Sequence, residues 1–127
     1  MRKKIHPILS IFIVIFFLAC GSDKLEIEYI VNSDRNIFPA KIKYFDSNQN
    51  EQTLVDISLP WTYAFKAKEG DKLKLSADLY ITGNIAYIGV DTMRLKILLN
   101  GSVLKEATDI IINRSMEEVT IEGTVPD

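Results

Sequence analysis

The stretch Met93 to Ala107, MRLKILLNGSVLKEA, decides the fold class. Two apolar runs flank Asn100-Gly101, a pair that tolerates the left-handed backbone of a type I′ turn and so matches the twist of two antiparallel strands. A two-residue loop sets Leu98 opposite Val103 and Ile97 opposite Leu104, which keeps apolar partners together on each face. The same period of two runs outward in both directions. Upstream, Lys72 to Ile81 places Leu73, Leu75, Ala77 and Leu79 on one face against Lys72, Lys74, Ser76 and Asp78. That alternation is the mark of a half-buried strand.

Further strands follow by the same rule. Leu25, Ile27, Tyr29 and Val31 alternate with Glu26 and Glu28, and Lys41 to Phe45 repeats the pattern. Asp46 to Gln52 is entirely polar and reads as a hairpin loop. Thr53 to Leu59 is stopped by Pro60, which lacks the N–H that a ladder needs. Thr62 to Ala67 continues with Tyr63 and Phe65 on one face, and Lys68-Glu69-Gly70-Asp71 is a turn. Thr82 to Thr92 reads as a loop with a short strand, and Glu118 to Val125 closes the chain. No segment sustains a 3.6-residue stripe. About seven short strands with frequent turns predict an all-β, immunoglobulin-like antiparallel sandwich over residues 24–127. The Cys–Trp–Cys signature of antibody domains is absent.

The N-terminus carries a different kind of signal. Arg2, Lys3 and Lys4 precede an apolar run from Ile8 to Ala19, broken only by Ser10. That run suits an export signal and falls short of the roughly 20 residues that span a bilayer. It ends at Phe17-Leu18-Ala19-Cys20-Gly21, which resembles the lipobox of bacterial lipoproteins. The resemblance implies cleavage before Cys20, removal of residues 1–19 as a signal peptide, and lipidation of the Cys20 sulfur. The usual lipobox has Leu where this chain has Phe17. Residues 20–23 are then a tether reaching on the order of 15 Å, at about 3.3 Å per extended residue, which holds the domain close to a membrane of the cell envelope.

Composition narrows the function. The chain has 15 basic and 17 acidic residues. Three of the basic ones lie in residues 1–19, which leaves 12 against 17, a formal charge of −5. An acidic surface argues against nucleic acid, whose affinity comes from clustered Lys and Arg. It also argues against electrostatic docking on anionic headgroups, so membrane attachment falls to the lipid. The single Cys is Cys20 and the single His is His6. After processing, the domain holds no disulfide, no imidazole and no free thiol. Cys–His nucleophiles, Ser–His–Asp triads and Cys/His zinc sites are excluded, and the expectation is a non-enzymatic protein without a cofactor or metal.

Four groups of residues call for weighing. Trp61, the only Trp, is read as a core plug set at least partly inside the sandwich, since large aromatics supply much of the burial in a small domain; it is also the one candidate for a partner contact. Asp46, Asn48 and Asn50 alternate as in a calcium loop. Such a loop also needs Gly at its sixth position and an acid at its twelfth, where this chain has Glu51 and Ile57, so a solvated turn is expected. Glu117, Glu118 and Glu122 read as acids on an exposed strand face. Asn100 and Asn113 stand in N-x-S sequons that carry no meaning in a bacterial lipoprotein.

One longer pattern goes beyond generic β-sequence. Val55-Asp56-Ile57-Ser58-Leu59-Pro60-Trp61 is followed by Tyr63-Ala64-Phe65, Gly70-Asp71, Leu75-Ser76-Ala77, Ile97 to Gly101, and Lys105-Glu106-Ala107-Thr108. This order resembles the MmpS family of transport accessory proteins and related short lipoproteins, over residues 53–108. The resemblance implies an exported, membrane-tethered, immunoglobulin-like domain that accompanies an exporter; mycobacterial members serve MmpL exporters of lipids and siderophores. It brings no catalytic residues. The mycobacterial members use a transmembrane helix where this chain has the lipobox-like stretch, and Ile110-Ile111-Ile112-Asn113 stands in place of the family's Gly/Ser-rich turn. A membrane, through lipid on Cys20, and an envelope protein or transporter are thus the expected partners. A small-ligand or lipid pocket between the sheets is the alternative.

Overall fold

Alternation of apolar and charged side chains gives each strand one face for the interior, and pairing decides which sheet that face joins. A computed structural model of the chain describes residues 24–80, 90–112 and 118–127. The expected signal segment 1–19, Cys20, the expected tether to residue 23, residues 81–89 (most of the stretch read as a loop with a short strand) and the sequon residue Asn113 with Glu117 lie outside the described residues.

The described strands are β1 (Lys24–Ser33), β2 (Ala40–Phe45), β3 (Glu51–Ile57), β4 (Trp61–Lys68), β5 (Lys72–Leu79), β6 (Val90–Leu99), β7 (Ser102–Ile112) and β8 (Val119–Thr124). They form two four-stranded antiparallel sheets, ordered β4-β1-β6-β7 and β3-β2-β5-β8. The protein is an all-β sandwich, as the alternation predicts. In immunoglobulin domains, strand B lies between A and E, and C lies beside F, with C′ next to C in variable types. Here β1, β2, β3, β4, β5 and β8 take the pairings of B, C, C′, E, F and G. The β6–β7 hairpin occupies the side of β1 that strand A takes in those domains. It is inserted between the last two strands of the immunoglobulin order, which brings the total to eight.

The core is built from facing strands of both sheets. Ile27, Tyr29 and Val31 from β1 and Met93, Leu95 and Ile97 from β6 meet Ala40 and Ile42 from β2 and Leu73, Leu75 and Ala77 from β5. All but Leu73, at 1% exposure, are fully buried. Tyr29 also crosses between the sheets. Its hydroxyl donates to the Phe45 carbonyl at 2.8 Å and accepts from the Lys74 amide at 3.4 Å.

The turns follow their residue chemistry. Asn100 and Gly101 both have positive φ, 49° and 88°, as a type I′ turn requires. Leu98 faces Val103 as expected, but the next pair is Ile97 with Lys105, not Leu104. A bulge at Leu104 is the reason, since one extra residue on β7 shifts the alternation of everything beyond it. Leu104 packs against the core. A second bulge interrupts β2–β3 between Ala40 and Ile42, where Asp56 on β3 sits at φ 56°.

Candidate functional site

Strand β4 leaves the Ser58-Leu59-Pro60 crossing, whose Leu59–Pro60 peptide is cis, and starts at Trp61. Alternation then turns Trp61, Tyr63 and Phe65 toward the interior and Thr62, Ala64, Lys66 and Lys68 outward. The three aromatics are half-buried and pack on the core. Trp61 stands 5.4 Å from Tyr44 and 6.3 Å from Tyr63, ring centre to ring centre, and lies within 7° of parallel to Tyr63. Tyr63 is 4.9 Å from Tyr44, and Phe65 is 5.2 Å from Tyr29. These spacings fall in the range where aromatic pairs attract. Trp61 is therefore partly inside the sandwich, as its reading as a plug requires, and partly at its rim.

The rim arises because the two sides of the sandwich differ. On one side β7 and β8 lie against each other, with the Lys105 and Leu104 side chains over Gly123 of β8. On the other, β3 and β4 make no comparable approach, and bulky rings occupy the space between them. Burial pushes the Tyr29 phenol far above its ordinary range, and it raises Tyr44 as well, with Tyr63 adding to the effect. Tyr29 serves as a packing and hydrogen-bonding group, and Tyr44 packs among the rings.

The two ends of the sandwich also differ. Lys24 begins β1 at one pole, together with the turns at 46–50, 69–71 and 100–101; Gly70 donates to the Val125 carbonyl there. At this pole Lys24, Lys66, Lys68, Asp71, Ser47 and Asn48 line a surface hollow of about 450 Å³. At the far pole, Asn36, Ile37, Phe38, Pro39, Asp56, Ser58 and Leu59 line one of about 210 Å³. Near it Asp91, 4% exposed, accepts from the Arg35 and Thr92 amides through Oδ1, while its Oδ2 has no hydrogen-bond partner. Neither hollow was evident from the sequence, because each gathers residues from segments far apart in the chain.

The other candidates from the sequence are occupied in plainer ways. Asp46 Oδ1 accepts from the Asn48 and Asn50 amides, and Oδ2 from the Gln52 side chain. These bonds, that from Asn50 foremost, hold the Asp46 carboxyl below its ordinary value, so the group is a turn clasp. Among the described residues no three His, Cys, Asp or Glu side chains gather as a metal site needs. Glu118 pairs with Lys43 at 3.7 Å. Glu118 and Glu122 are about 13 Å apart along the chain, at about 3.3 Å per residue, beyond the roughly 5–9.5 Å of paired glycosidase carboxyls. Asn100 does structural work the sequence did not suggest: its amide donates to the Glu26 carbonyl, and its Oδ1 accepts from the Glu26 amide. No protein-family model matches the chain, and no curated protein matches it.

Proposed function

We propose that this protein is an envelope lipoprotein, held to a membrane through lipid on Cys20, and that it works as a non-enzymatic interaction module for a protein partner. The observation that carries the reading is the asymmetry of the sandwich. One side is closed by β7 and β8, while the other presents an edge strand and the half-buried rings of Trp61, Tyr63 and Phe65. The rival reading, a ligand pocket between the sheets, needs free space there. The facing side chains of β1, β2, β5 and β6 instead bury one another, and packed interiors leave few voids larger than a water.

The partner class follows the MmpS resemblance, an exporter or another envelope complex that this domain accompanies. The position of Lys24 supports the tethered arrangement: with the short segment 20–23 before it, the pole bearing the 46–50, 69–71 and 100–101 turns faces the membrane. The test is metabolic labelling with a radioactive fatty acid in cells carrying the wild-type chain or Cys20→Ala. The expected result is label on the wild type and none on the variant, with the variant unprocessed or released to the soluble fraction. Label retained by Cys20→Ala would remove the anchor from the proposal.

A further inference from the structure

The sandwich has four edge strands, and three of them are blunted. β7 and β8 lie together, and β7 carries a bulge. β3 is broken by its own bulge, with Asp56 in the left-handed region. β4 differs. It pairs with β1 in unbroken register from Lys24–Lys68 to Val31–Trp61, it contains no proline, and its outward residues Thr62 and Ala64 are small and exposed. Among the described residues nothing pairs with its other edge. An unbulged edge presents a row of free N–H and C=O groups, a template for one more strand. Edge addition supplies backbone hydrogen bonds for affinity and alternate side-chain contacts for specificity.

Charge selects what can be added. Lys66 and Lys68 are exposed on the outward face, and neither belongs to an ion pair among the described residues. Lys66 has Glu26 across from it on β1, but Lys68 faces Lys24. All three lysines line the hollow at the membrane-facing pole, where the Asp71 carboxylate is already accepting the Lys68 amide. From this geometry we infer that β4 is the docking edge for an extended segment of a partner protein, apolar at alternate positions along Trp61, Tyr63 and Phe65 and acidic beside Lys66 and Lys68.

A second copy of the chain does not fit. Antiparallel pairing of β4 with its twin turns one molecule upside down. The strand is 8 residues long, so the inverted Lys24 rises by about 23 Å, seven steps at about 3.3 Å each, while the tether 20–23 reaches only about 15 Å. Parallel pairing of two identical free edges keeps both copies upright but turns one sheet over, so the lysine face of one copy continues the ring-bearing face of the other, and β4 itself offers no acid to either lysine. This exclusion rests on the lipid-anchor reading.

The experiment places a photo-crosslinking residue at Thr62 or Ala64 of the full chain in its own envelope, with Thr108 on β7 and Thr120 on β8 as comparison positions. The expected result is an adduct with a different protein from both β4 positions, little from the others, and an acid in the crosslinked partner peptide. Lys66→Glu with Lys68→Glu should lower the yield about ten-fold, and Lys66→Gln with Lys68→Gln by less; Lys72→Glu should leave it unchanged. No adduct from β4, equal adducts from all positions, an adduct of twice the chain's mass, or a yield blind to the charge reversal would each overturn the inference. Fatty-acid label on the same cells reports separately on Cys20, so loss of the anchor reading and loss of the edge are distinguishable.

Discussion

Tyr29 shows at the scale of a single residue how the sandwich is held. Its ring packs among Tyr44 and Phe65, and its hydroxyl ties β2 to β5 from the opposite sheet. Tyr29→Phe keeps the ring but leaves the Phe45 carbonyl and the Lys74 amide without that partner. An unsatisfied buried group costs about 1–3 kcal/mol, so a denaturant melt of Tyr29→Phe should show a lowered midpoint and an unfolding free energy smaller by that amount. Trp61 is expected to behave differently. Truncating a fully buried Trp costs about 3–5 kcal/mol, and half-burial should bring Trp61→Ala below that range while keeping a clear loss. Acrylamide should quench the lone Trp partly. Full quenching with an unchanged midpoint would move Trp61 from the packing to the surface.

The elements owe their shape to a few turn residues and carboxylates. Gly101 has φ 88° and nothing within 4 Å of a built Cβ, so Gly101→Ala is penalised by backbone conformation alone, about 1–2 kcal/mol. Gly123 is the contrast. A Cβ there meets only the flexible Lys105 and Leu104 side chains at 3.6 Å or more, and Gly123→Ala should be nearly neutral in the same melt. The β2–β3 hairpin carries a pH signature. Hydrogen bonds, chiefly from Asn50, hold Asp46 below its ordinary 3.8, and the Lys74 ammonium holds Glu51 below 4.5. A lowered carboxyl contributes stability that is present above its ordinary value and is lost as pH falls through the lowered one. Melting temperature should therefore be flat near neutrality and fall with acid below about pH 4, where such carboxyls protonate. Asp46→Asn, with the charge removed, should show a shallower acid decline.

For the molecule as a whole, burial without covalent staples is the governing fact. The only cysteine is Cys20, so the melting midpoint of the domain should be the same with and without reductant, and its far-ultraviolet spectrum should be that of a sheet protein. A midpoint that drops on reduction would overturn this. The outer surfaces are of the ordinary solvated kind, with surface ion pairs such as Lys74–Glu51 at 2.8 Å and Arg94–Asp34 at 3.0 Å. Exposed pairs of this type contribute about 0–1 kcal/mol each, which leaves the aromatic and aliphatic interior as the main source of stability.

Alternation along the chain by itself located the strands and determined the all-β class, because a period of two is a local property that each segment carries alone; their ends were not so legible, since Glu51 and Gln52, read as loop, pair with Phe45 and Tyr44 in β3. The type I′ turn at Asn100-Gly101 was equally legible, since its left-handed backbone selects those two residues. Residues 24–127 hold no Cys and no His, Tyr63 and Phe65 were legible as sharing one face, and Trp61 as a plug, but that Trp61 begins the same strand and lines up with them was not. Sheet membership was not written locally: β1 pairs with β4 and β6, and β2 with β5, across separations that periodicity does not encode. The full lengths of β6 and β7 depended on their pairing, which carries β7 through Ile112 beyond the alternating stretch. Only the tertiary structure decided the bulges at Leu104 and near Asp56, the crossing hydroxyl of Tyr29, and the edge position of β4 with Lys66 and Lys68 beside it. A strand becomes an edge only by what fails to pair with it, and that is a property of the assembled sheets and not of the strand's own residues.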